Sequence, residues 1–388
     1  MMDKKKIKMD KGINTNMLHG YPVIDPYTGA ASIPKYQTST FDQKELYLDS
    51  KKYCYTRFAN PTVDVLQQAF ANLENAEYGF AFSSGMAAIT STLMMLKTGD
   101  HIIFPIEVYG GTFQLATEIL VNYNIEVSFL DYDDILAVEN AIKPETKIIY
   151  IETPSNPLMK ITDIRAYVEL AKKYNLLTVI DNTFMTPLFQ RPIELGCDIV
   201  IESVTKFING HSDVVAGLVA TNSEKIAEKI ALYQKNFGSI IGVDDAWLTL
   251  RGMKTMGVRV EQSARNALII AEYLSKHPRI KKVHYPGLRE HKGYEVNRGQ
   301  SVSGGAVLSF EFYTKKEMDN FIKRIEIPIF AVSLGGVESI LSHPATMSHA
   351  CMCEKERIKQ GVINELVRLS CGIEDIADLL KDLENALK

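Results

Sequence analysis

A lysine at the end of an apolar segment is the residue of this sequence best placed to do chemistry. The segment Asp198–Glu202 is predicted to be a strand, and Ser203, Thr205 and Lys206 follow it. Ser203 and Thr205 lie on one face at the strand period of two. Lysine is rarely buried unless it is paired, and the preceding strand has the composition of a central one. A surface lysine is the simpler alternative, but the position favours a functional amine.

A second candidate lies where a short apolar stretch turns into a helix. Gly79–Phe82 leads through Ser84 and Gly85 into a predicted helix that runs from Met86 to Leu96. Free backbone N–H groups and the helix dipole point at one spot there, which makes a cradle for phosphate. Many strand–helix turns contain Ser-Gly, so an ordinary turn remains the alternative.

A carboxylate, Asp181, ends the apolar run Leu177–Ile180. A carboxylate at the end of a buried strand needs a cationic partner or several hydrogen-bond donors. It could cap a loop, because Asn182 and Thr183 follow it. The functional alternative is a contact with a protonated heteroaromatic nitrogen of a cofactor.

Two short motifs of another enzyme class also occur. Ser203-Val-Thr-Lys206 has the form SxxK and Lys97-Thr-Gly99 the form KTG, the pair used by serine β-lactamases and penicillin-binding proteins. In that class SxxK opens a helix and precedes KTG, whereas here the order is reversed and SxxK closes a strand. No SDN motif occurs. The serine-hydrolase interpretation is therefore weak.

The candidate residues sit within a regular alternation of predicted strands and helices. Strands that are apolar on both faces and separated by helices indicate a parallel sheet, whose ligands bind at the carboxyl ends of the strands. The predicted strands are 79–82, 101–105, 126–130, 147–152, 177–181, 198–202 and 214–221, with helices at 61–73, 86–96, 111–123, 133–142 and 162–174.

The two ends of the chain have a different pattern. Residues 1–57 contain several prolines and show no sustained helical period, so they are predicted to form an arm. Residues 58–250 form the predicted large domain. After a long helix predicted near 244–275, residues 251–388 are predicted to form a smaller α+β domain with strands at 281–285, 306–312 and 329–333.

Composition excludes several classes of function. A formal net charge of -4 gives no basic surface for nucleic acid, and the most apolar helical segment, Ala87–Leu96, is too short to span a bilayer. Five cysteines without a CxxC pair favour a reducing compartment, and the chain has no HExxH motif. No apolar stretch follows the first residues as in a secretory signal. These features predict a cytoplasmic protein without a bound metal.

Over nearly its whole length the sequence resembles the Cys/Met-metabolism group of pyridoxal-phosphate enzymes. This group contains cystathionine β- and γ-lyases, cystathionine γ-synthase and methionine γ-lyase. The matching blocks are Tyr36–Phe41, Tyr55–Pro61, Ser83–Ala88, Val108–Phe113, Glu152–Pro157, Asp181–Thr183, Ser203–Lys206, Ser333–Gly336 and Arg368–Ser370. So many blocks in the same order do not match by chance.

The resemblance implies a fold of type I and the cofactor pyridoxal 5'-phosphate. It implies that Lys206 holds the cofactor as a Schiff base and then moves protons as general base and acid. Asp181 would keep the pyridinium nitrogen protonated. Tyr109 would stack on the ring and assist proton transfer, and Asn156 would contact the cofactor's phenolic oxygen or the substrate.

The resemblance also implies which residues hold the phosphate and the substrate. Arg368 would clamp the substrate α-carboxylate, where a bidentate fork outperforms a point charge, and Ser333 would join it at the substrate. The implied phosphate site comprises Ser84, Gly85, Met86, Ser203 and Thr205.

Two residues of the arm are similar to residues that relatives use across a subunit boundary. Tyr55 and Arg57 would bind the phosphate of the neighbouring subunit. The resemblance thus implies an active site completed in a homodimer, and a homotetramer as the assembly. The arm then becomes a contact between subunits.

The resemblance leaves the reaction open between elimination and replacement at the β- or γ-carbon. Methionine γ-lyases typically have cysteine at the position of Gly111, and many γ-acting relatives have glutamate at the position of Val332. We therefore expect cystathionine β-lyase activity first, with cystathionine γ-lyase, cystathionine γ-synthase and methionine γ-lyase as alternatives. An inactive binding or regulatory protein should have lost Lys206, Asp181, Tyr109 or Arg368, and all four are present.

Overall fold

The computed structural model describes residues 11–44, 53–350 and 352–388. Part of the predicted arm, residues 1–10 and 45–52, lies outside these ranges. The helices are α1 Ile13–His19, α2 Pro61–Leu73, α3 Gly85–Leu93, α4 Gly110–Gln114, α5 Ile135–Asn140, α6 Ile164–Lys173, α7 Thr186–Phe189, α8 Glu224–Phe237, α9 Val243–Met253, α10 Met256–Leu274, α11 Tyr294–Gln300, α12 Lys315–Arg324, α13 Glu354–Lys359 and α14 Ile376–Ala386. The strands are β1 Tyr78–Phe82, β2 His101–Pro105, β3 Glu126–Leu130, β4 Thr146–Glu152, β5 Leu177–Asp181, β6 Ile199–Ser203, β7 Gly217–Thr221, β8 Ile280–His284, β9 Val307–Phe312, β10 Ile329–Phe330, β11 Ile340–Ser342 and β12 Leu366–Ser370.

The larger sheet has seven strands in the order β1-β7-β6-β5-β4-β2-β3. Strands β6, β5, β4, β2 and β3 are parallel, whereas β7 runs antiparallel to both of its neighbours. The central strands are buried on both faces, as their continuous apolar sequences require. The predicted α/β fold with a mostly parallel seven-stranded sheet is confirmed. Because the strands β4, β5 and β6 are parallel, their carboxyl ends lie at one edge.

Helices cover both faces of this sheet and begin where their sequences predict. Helix α2 starts after Asn60, whose side chain accepts a hydrogen bond from the Thr62 N–H, with Pro61 in the first turn. Its buried residues include Leu66 and Phe70, which belong to the hydrophobic core on one face of the sheet. Helix α3 packs into a second core on the other face.

The smaller sheet has five strands in the order β10-β11-β12-β9-β8, antiparallel except for the β10–β11 pair. Helices α10, α12 and α14 pack on it around Phe310, Phe312 and Phe321. This is the α+β arrangement expected near the end of the chain. The proposed boundaries at residues 57/58 and 250/251 remain predictions.

The long helix predicted near 244–275 is in fact two helices, α9 and α10. Gly252 packs so closely on the next segment that a Cβ there would lie 2.5 Å from the Asn209 carbonyl oxygen. The Gly252 carbonyl accepts from the Thr255 N–H at 3.1 Å and from Arg259 Nη2 at 2.9 Å. These bonds turn the backbone at residues 254 and 255, which the apolar periodicity does not reveal.

Sequence patterns also misjudged several short elements. Helix α1 lies in the predicted arm, where it is held by its buried Met17. The strand predicted at 329–333 has only two residues, and the chain leaves the sheet before Ser333. Strands β11 and β12 were not predicted, because one has three residues and the other has an arginine at its centre.

Within the described ranges, no helix is long and apolar enough to cross a membrane. The same ranges contain no group of three or more His, Cys, Asp or Glu side chains that could hold a metal ion.

Two carboxyl groups of the large domain, those of Glu202 and Glu74, are fully buried. Glu202 lies on β6, and Glu74 directly follows the last residue of α2; neither is exposed to solvent. One Glu202 oxygen accepts from Asn182 Nδ2 at 2.8 Å, whereas the other, and both Glu74 oxygens, have no hydrogen-bond partner among the described residues. Burial, followed by the charge of Glu74, raises the pKa of Glu202 well above its usual value. Burial likewise raises the pKa of Glu74, against the opposing effect of Arg191.

We predict that Glu202→Gln makes the protein more resistant to heat at alkaline pH. The pKa of Glu202 is higher in the folded state than in the unfolded state. At pH values between these two pKa values, the folded state therefore binds more protons than the unfolded state. The free energy of unfolding therefore falls as pH rises above about 4, the usual glutamate range. Glutamine keeps the contact with Asn182 and removes the titration. Melting temperatures at pH 5 and pH 8 measure the effect, with exposed Glu228→Gln as control. If the melting temperature falls equally between pH 5 and pH 8 in the parent and in both variants, the prediction is contradicted.

Candidate active site

A cavity of about 460 Å³ opens at the carboxyl ends of β4, β5 and β6. The N-terminus of α3 and the loops near residues 333 and 347 complete its wall. Most of the site residues expected from the sequence line this one cavity: Ser84, Gly85, Met86, Tyr109, Asn156, Asp181, Ser203, Thr205, Lys206, Ser333 and Arg368.

Lys206 lies in the turn directly after β6, and its side chain is half-buried. Its Nζ atom donates a hydrogen bond to Ser333 Oγ at 2.8 Å. Burial lowers the pKa of the amine to about 8, with a further lowering by Arg368 and an opposing effect of Asp181. The amine is therefore easier to deprotonate near neutral pH than an exposed lysine.

Asp181 is held by the backbone and side chain of Thr183. Its Oδ1 atom accepts from the Thr183 N–H at 3.1 Å and from Thr183 Oγ1 at 2.5 Å. The same Thr183 hydroxyl accepts from the Ser203 N–H at 2.8 Å, so it ties the ends of β5 and β6 together. Burial raises the pKa of Asp181, while the Thr183 bonds and the Lys206 charge act in the opposite direction.

The start of α3 forms a close-fitting corner with β6. Ser84 caps the helix by accepting from the Ala87 N–H at 3.0 Å, and the first N–H groups of a helix have no carbonyl partner within it. A Cβ on Gly85 would lie 3.0 Å from Ser203 Oγ. The Thr205 hydroxyl accepts from the Ala216 N–H at 3.1 Å. Backbone donors and hydroxyl groups therefore converge here, as an anion requires.

Arg368 lies at the centre of β12 and is 3% exposed. Its Nη1 donates to Asn156 Oδ1 at 2.8 Å and its Nη2 to the Ser333 carbonyl at 2.7 Å, whereas Nε is buried without a partner. Burial lowers the pKa of the guanidinium to about 10, and none of the described carboxylates forms an ion pair with it. A buried cation with unused donors suits a ligand carboxylate.

Ser333 has a φ angle of 86°, in the left-handed region that non-glycine residues rarely adopt. Such a conformation costs about 1–3 kcal/mol and persists only where the surroundings fix it. The bonds to Arg368 and Lys206 fix it here.

Tyr109 lies at the cavity mouth and is 40% exposed. Its backbone N–H donates to Glu152 Oε2 at 2.8 Å. Glu152 ends β4, and burial followed by the nearby Asp181 charge raises its pKa well above the usual range. The buried carboxyl group thus sets the position of the tyrosine backbone.

Tyr55 and Arg57 do not line the cavity of this chain. Arg57 Nη1 donates to the Lys235 carbonyl at 2.9 Å, and its guanidinium lies over the rings of Phe58 and Tyr55. Tyr55 and Phe58 are both exposed.

Sequence reasoning gave no role to Thr183 or Glu152, although both lie within the matching blocks. Each is a polar residue at or just past the carboxyl end of a buried strand. This position at the end of a buried strand could have identified both residues, since the same position identified Asp181. His349 was also missed: it is fully buried beside the cavity residue Ser348, whose hydroxyl lies 2.9 Å from its Nδ1 atom.

The cavity residues fit pyridoxal phosphate on three independent features of the structure. An amine of lowered pKa is available for a covalent bond to the cofactor. A partly buried carboxylate, Asp181, is available for a ring nitrogen. The first N–H groups of α3 lie beside the hydroxyl groups of Ser203 and Thr205 in the cavity wall, where a phosphate can accept hydrogen bonds.

Comparison with known proteins gives consistent matches over almost the whole chain. Residues 14–388 match the family of Cys/Met metabolism PLP-dependent enzymes. The chain is 48% identical over 376 residues to cystathionine beta-lyase MetC of Bacillus subtilis strain 168, covering 97% of this chain and 96% of that protein. It is 44% identical over 374 residues to cystathionine gamma-lyase of the same strain, covering 96% and 98%. The crystal structure of cystathionine gamma-lyase from Lactobacillus plantarum complexed with L-serine superimposes with a TM-score of 0.94 at 41% identity, covering 97% of this chain and 98% of that one.

The fold and the site therefore define a pyridoxal-phosphate enzyme of fold type I. The chain belongs to the family of Cys/Met metabolism PLP-dependent enzymes. The expected family, the cofactor pyridoxal 5'-phosphate and carbon–sulfur lyase chemistry are confirmed by these matches. The roles of the individual site residues remain predictions.

We predict that Thr183→Val weakens cofactor binding roughly tenfold, since a hydrogen bond to a charged group contributes about 1.5–3 kcal/mol. Valine has the shape of threonine but cannot donate to Asp181 or accept from the Ser203 N–H. Titration of the apoprotein with pyridoxal phosphate, followed by absorbance, measures the dissociation constant. Thr183→Ser keeps the hydroxyl and serves as the control. Parent-like affinity of the valine variant would show that Thr183 does not support Asp181.

Proposed function

We propose that this protein is a cystathionine β-lyase, which converts cystathionine and one water into homocysteine, pyruvate and ammonia. The observation that carries the proposal is the Lys206 amine, which lies in the cavity with a pKa of about 8 and a hydrogen bond to Ser333. Such an amine can accept a proton from the substrate α-carbon near neutral pH. The relative at 48% identity has the name cystathionine beta-lyase, which agrees with this choice.

Most polar side chains of the cavity have a role in this proposal. Pyridoxal phosphate, when bound, supplies an electron sink for the charge left on the α-carbon. Lys206 holds the cofactor, then accepts the α-proton and returns protons. Asp181 keeps the ring nitrogen protonated, and Arg368 binds the substrate carboxylate together with Asn156 and Ser333. The phosphate binds at the start of α3 and at the two hydroxyl groups after β6, and Tyr109 stacks on the ring.

Two positions favour β-elimination over the γ-reactions. Elimination at the γ-carbon requires removal of a further proton from the β-carbon, whereas β-elimination needs only the α-proton. Val332 at the cavity mouth is 64% exposed and offers no group for proton transfer. At Gly111 a Cβ would lie 2.7 Å from the Tyr109 ring and 2.9 Å from Met86 Sδ. A cysteine here, as is typical of methionine γ-lyases, would require the Tyr109 ring and the Met86 side chain to shift.

We also propose that the active unit is a homodimer in the cytoplasm, assembled further into a homotetramer. Tyr55 and Arg57 lie outside their own cavity, as expected if they bind the cofactor phosphate of a neighbouring subunit. The exposed aromatic rings of Tyr55 and Phe58 are surface of the kind that a subunit contact covers.

Product analysis decides the reaction. The holoenzyme is incubated with cystathionine, and the keto acid and the thiol are identified by mass spectrometry. We expect pyruvate with homocysteine, whereas 2-oxobutyrate with cysteine would establish γ-elimination and refute the proposed reaction. Lys206→Ala should lower turnover by about 10²–10⁴-fold or more. Lys254→Ala, at an exposed lysine, is the matched control.

Mixed dimers test the shared site. We predict that Arg57→Ala loses cofactor and that Lys206→Ala is inactive, but that mixing the two chains restores activity at limiting cofactor. Half of randomly mixed dimers contain both chains, and each has one intact site, so about a quarter of all sites should work. Mixing Arg57→Ala with the double variant Arg57→Ala/Lys206→Ala is the control and should restore nothing. If the first mixture also stays inactive after confirmed subunit exchange, each chain builds its own site.

A further inference from the structure

Arg259 is a buried cation whose hydrogen-bond acceptors are all uncharged. It lies in the first turn of α10 and is 6% exposed. Its Nε donates to Thr255 Oγ1 at 3.0 Å, and its two terminal nitrogens donate to three backbone carbonyls. Burial alone lowers its pKa to about 10, with no carboxylate of the described residues acting on it. Burying a guanidinium in this way is costly, so its position calls for an explanation.

Two of the three carbonyls belong to the residues that directly follow Lys206. Nη1 donates to the Phe207 carbonyl at 3.1 Å, and Nη2 donates to the Ile208 carbonyl at 3.1 Å. These carbonyls end the turn that starts at Lys206, whose own carbonyl accepts from the Gly210 N–H at 2.8 Å. A cation at the carbonyl end of a helical turn is electrostatically favourable.

The turn is shaped around the guanidinium. Gly210 has a φ angle of 72°, and a Cβ there would lie 1.8 Å from Arg259 Nη1. On its other side, a Cβ on Gly335 would lie 2.6 Å from the Phe207 nitrogen and 3.0 Å from the Lys206 Cα. The backbone that carries the lysine is therefore confined between the Gly335 loop and the Arg259 side chain.

The third carbonyl, that of Gly252, connects this turn to the corner between α9 and α10. It accepts from Arg259 Nη2 at 2.9 Å. One planar side chain thus joins the end of α9, the start of α10 and the segment after β6. A lysine at this position would supply a single ammonium group, which cannot reach all of these acceptors in the plane of a fork.

We propose that Arg259 is a positioning residue for Lys206: its guanidinium holds the carbonyls of residues 207 and 208 so that the amine is kept in place for the cofactor. The inference rests on the assignment of Lys206 as the cofactor lysine. Misplacement of a reacting group by about 1 Å can cost on the order of 100-fold in rate, so a relaxed turn should affect catalysis before it affects the fold.

The test compares Arg259→Lys and Arg259→Gln with Arg265→Lys and Arg265→Gln. Arg265 lies on the same helix but is exposed. Each holoenzyme is examined by thermal melting, cofactor content, kcat and KM, and a pH titration of the visible absorbance of the bound cofactor. The titration reports the environment of Lys206 without turnover. A residue that serves only stability would change the melting temperature and leave the other properties at parent values.

For both Arg259 variants we expect cofactor to remain bound, with kcat lowered by roughly 10–100-fold and KM changed much less. The midpoint of the absorbance titration should shift by about half a pH unit or more, because the surroundings of the amine change. The Arg265 variants should behave like the parent. Parent-like kcat and titration midpoint in folded Arg259 variants would overturn the inference.

If the Arg259 variants do not fold, Thr255→Val tests the positioning role of Arg259 in their place. It removes the acceptor of Arg259 Nε and the bond from the Thr255 hydroxyl to the Gly252 carbonyl, but it leaves the acceptors at residues 207 and 208 in place. A shift of the absorbance midpoint supports the inference, and an unchanged midpoint overturns it. The proposed function is tested separately by Lys206→Ala in the same titration. If the parent spectrum does not depend on Lys206, the assignment of the lysine fails whatever the Arg259 variants do.

Discussion

The hydrogen bond from the Lys206 amine to Ser333 Oγ is the contact on which the site depends. Taking an ammonium out of water is unfavourable, so its surroundings must place and partly neutralise it. The parallel strands β4, β5 and β6 deliver polar side chains to one edge of the sheet, and Lys206 follows the last of them. The close contacts at Gly335 and Gly210 leave its backbone little freedom.

The charged side chains around the cavity influence one another, and the positive charge of Arg368 remains for an anionic substrate. Asp181 raises the pKa of Lys206 while Arg368 lowers it, and burial is the largest influence on the pKa values of Asp181, Lys206 and Arg368. Glu152 uses its carboxylate on the backbone of Tyr109. The Nε donor of Arg368 is buried without a partner among the described residues, so an anionic ligand would complete its hydrogen bonding.

Local patterns predicted the large sheet and the cavity residues at the ends of β5 and β6, Asp181 and Lys206 among them. The resemblance to a known family, and not a local pattern, gave Tyr109, Asn156, Ser333 and Arg368. Apolar runs such as 177–181 form central strands, and polar residues at their ends must meet at one edge. The same reasoning failed for β12, where Arg368 interrupts the apolar pattern because it lines the cavity and is nevertheless buried. It also failed at the α9–α10 corner, which depends on the contact between Gly252 and Asn209, far apart in the chain. Local patterns cannot show such contacts.

The residue that would bind the substrate is also joined to the residue that holds the amine. Arg368 Nη2 donates to the Ser333 carbonyl, and Ser333 Oγ accepts from Lys206. Ser333 adopts a left-handed conformation, which is maintained by these two contacts rather than by its own preference. In the proposed reaction, a carboxylate that binds Arg368 therefore acts on the same side chain that positions the base. The structure joins Arg368, Ser333 and Lys206 by two hydrogen bonds, which in the proposed reaction would link substrate recognition to proton transfer.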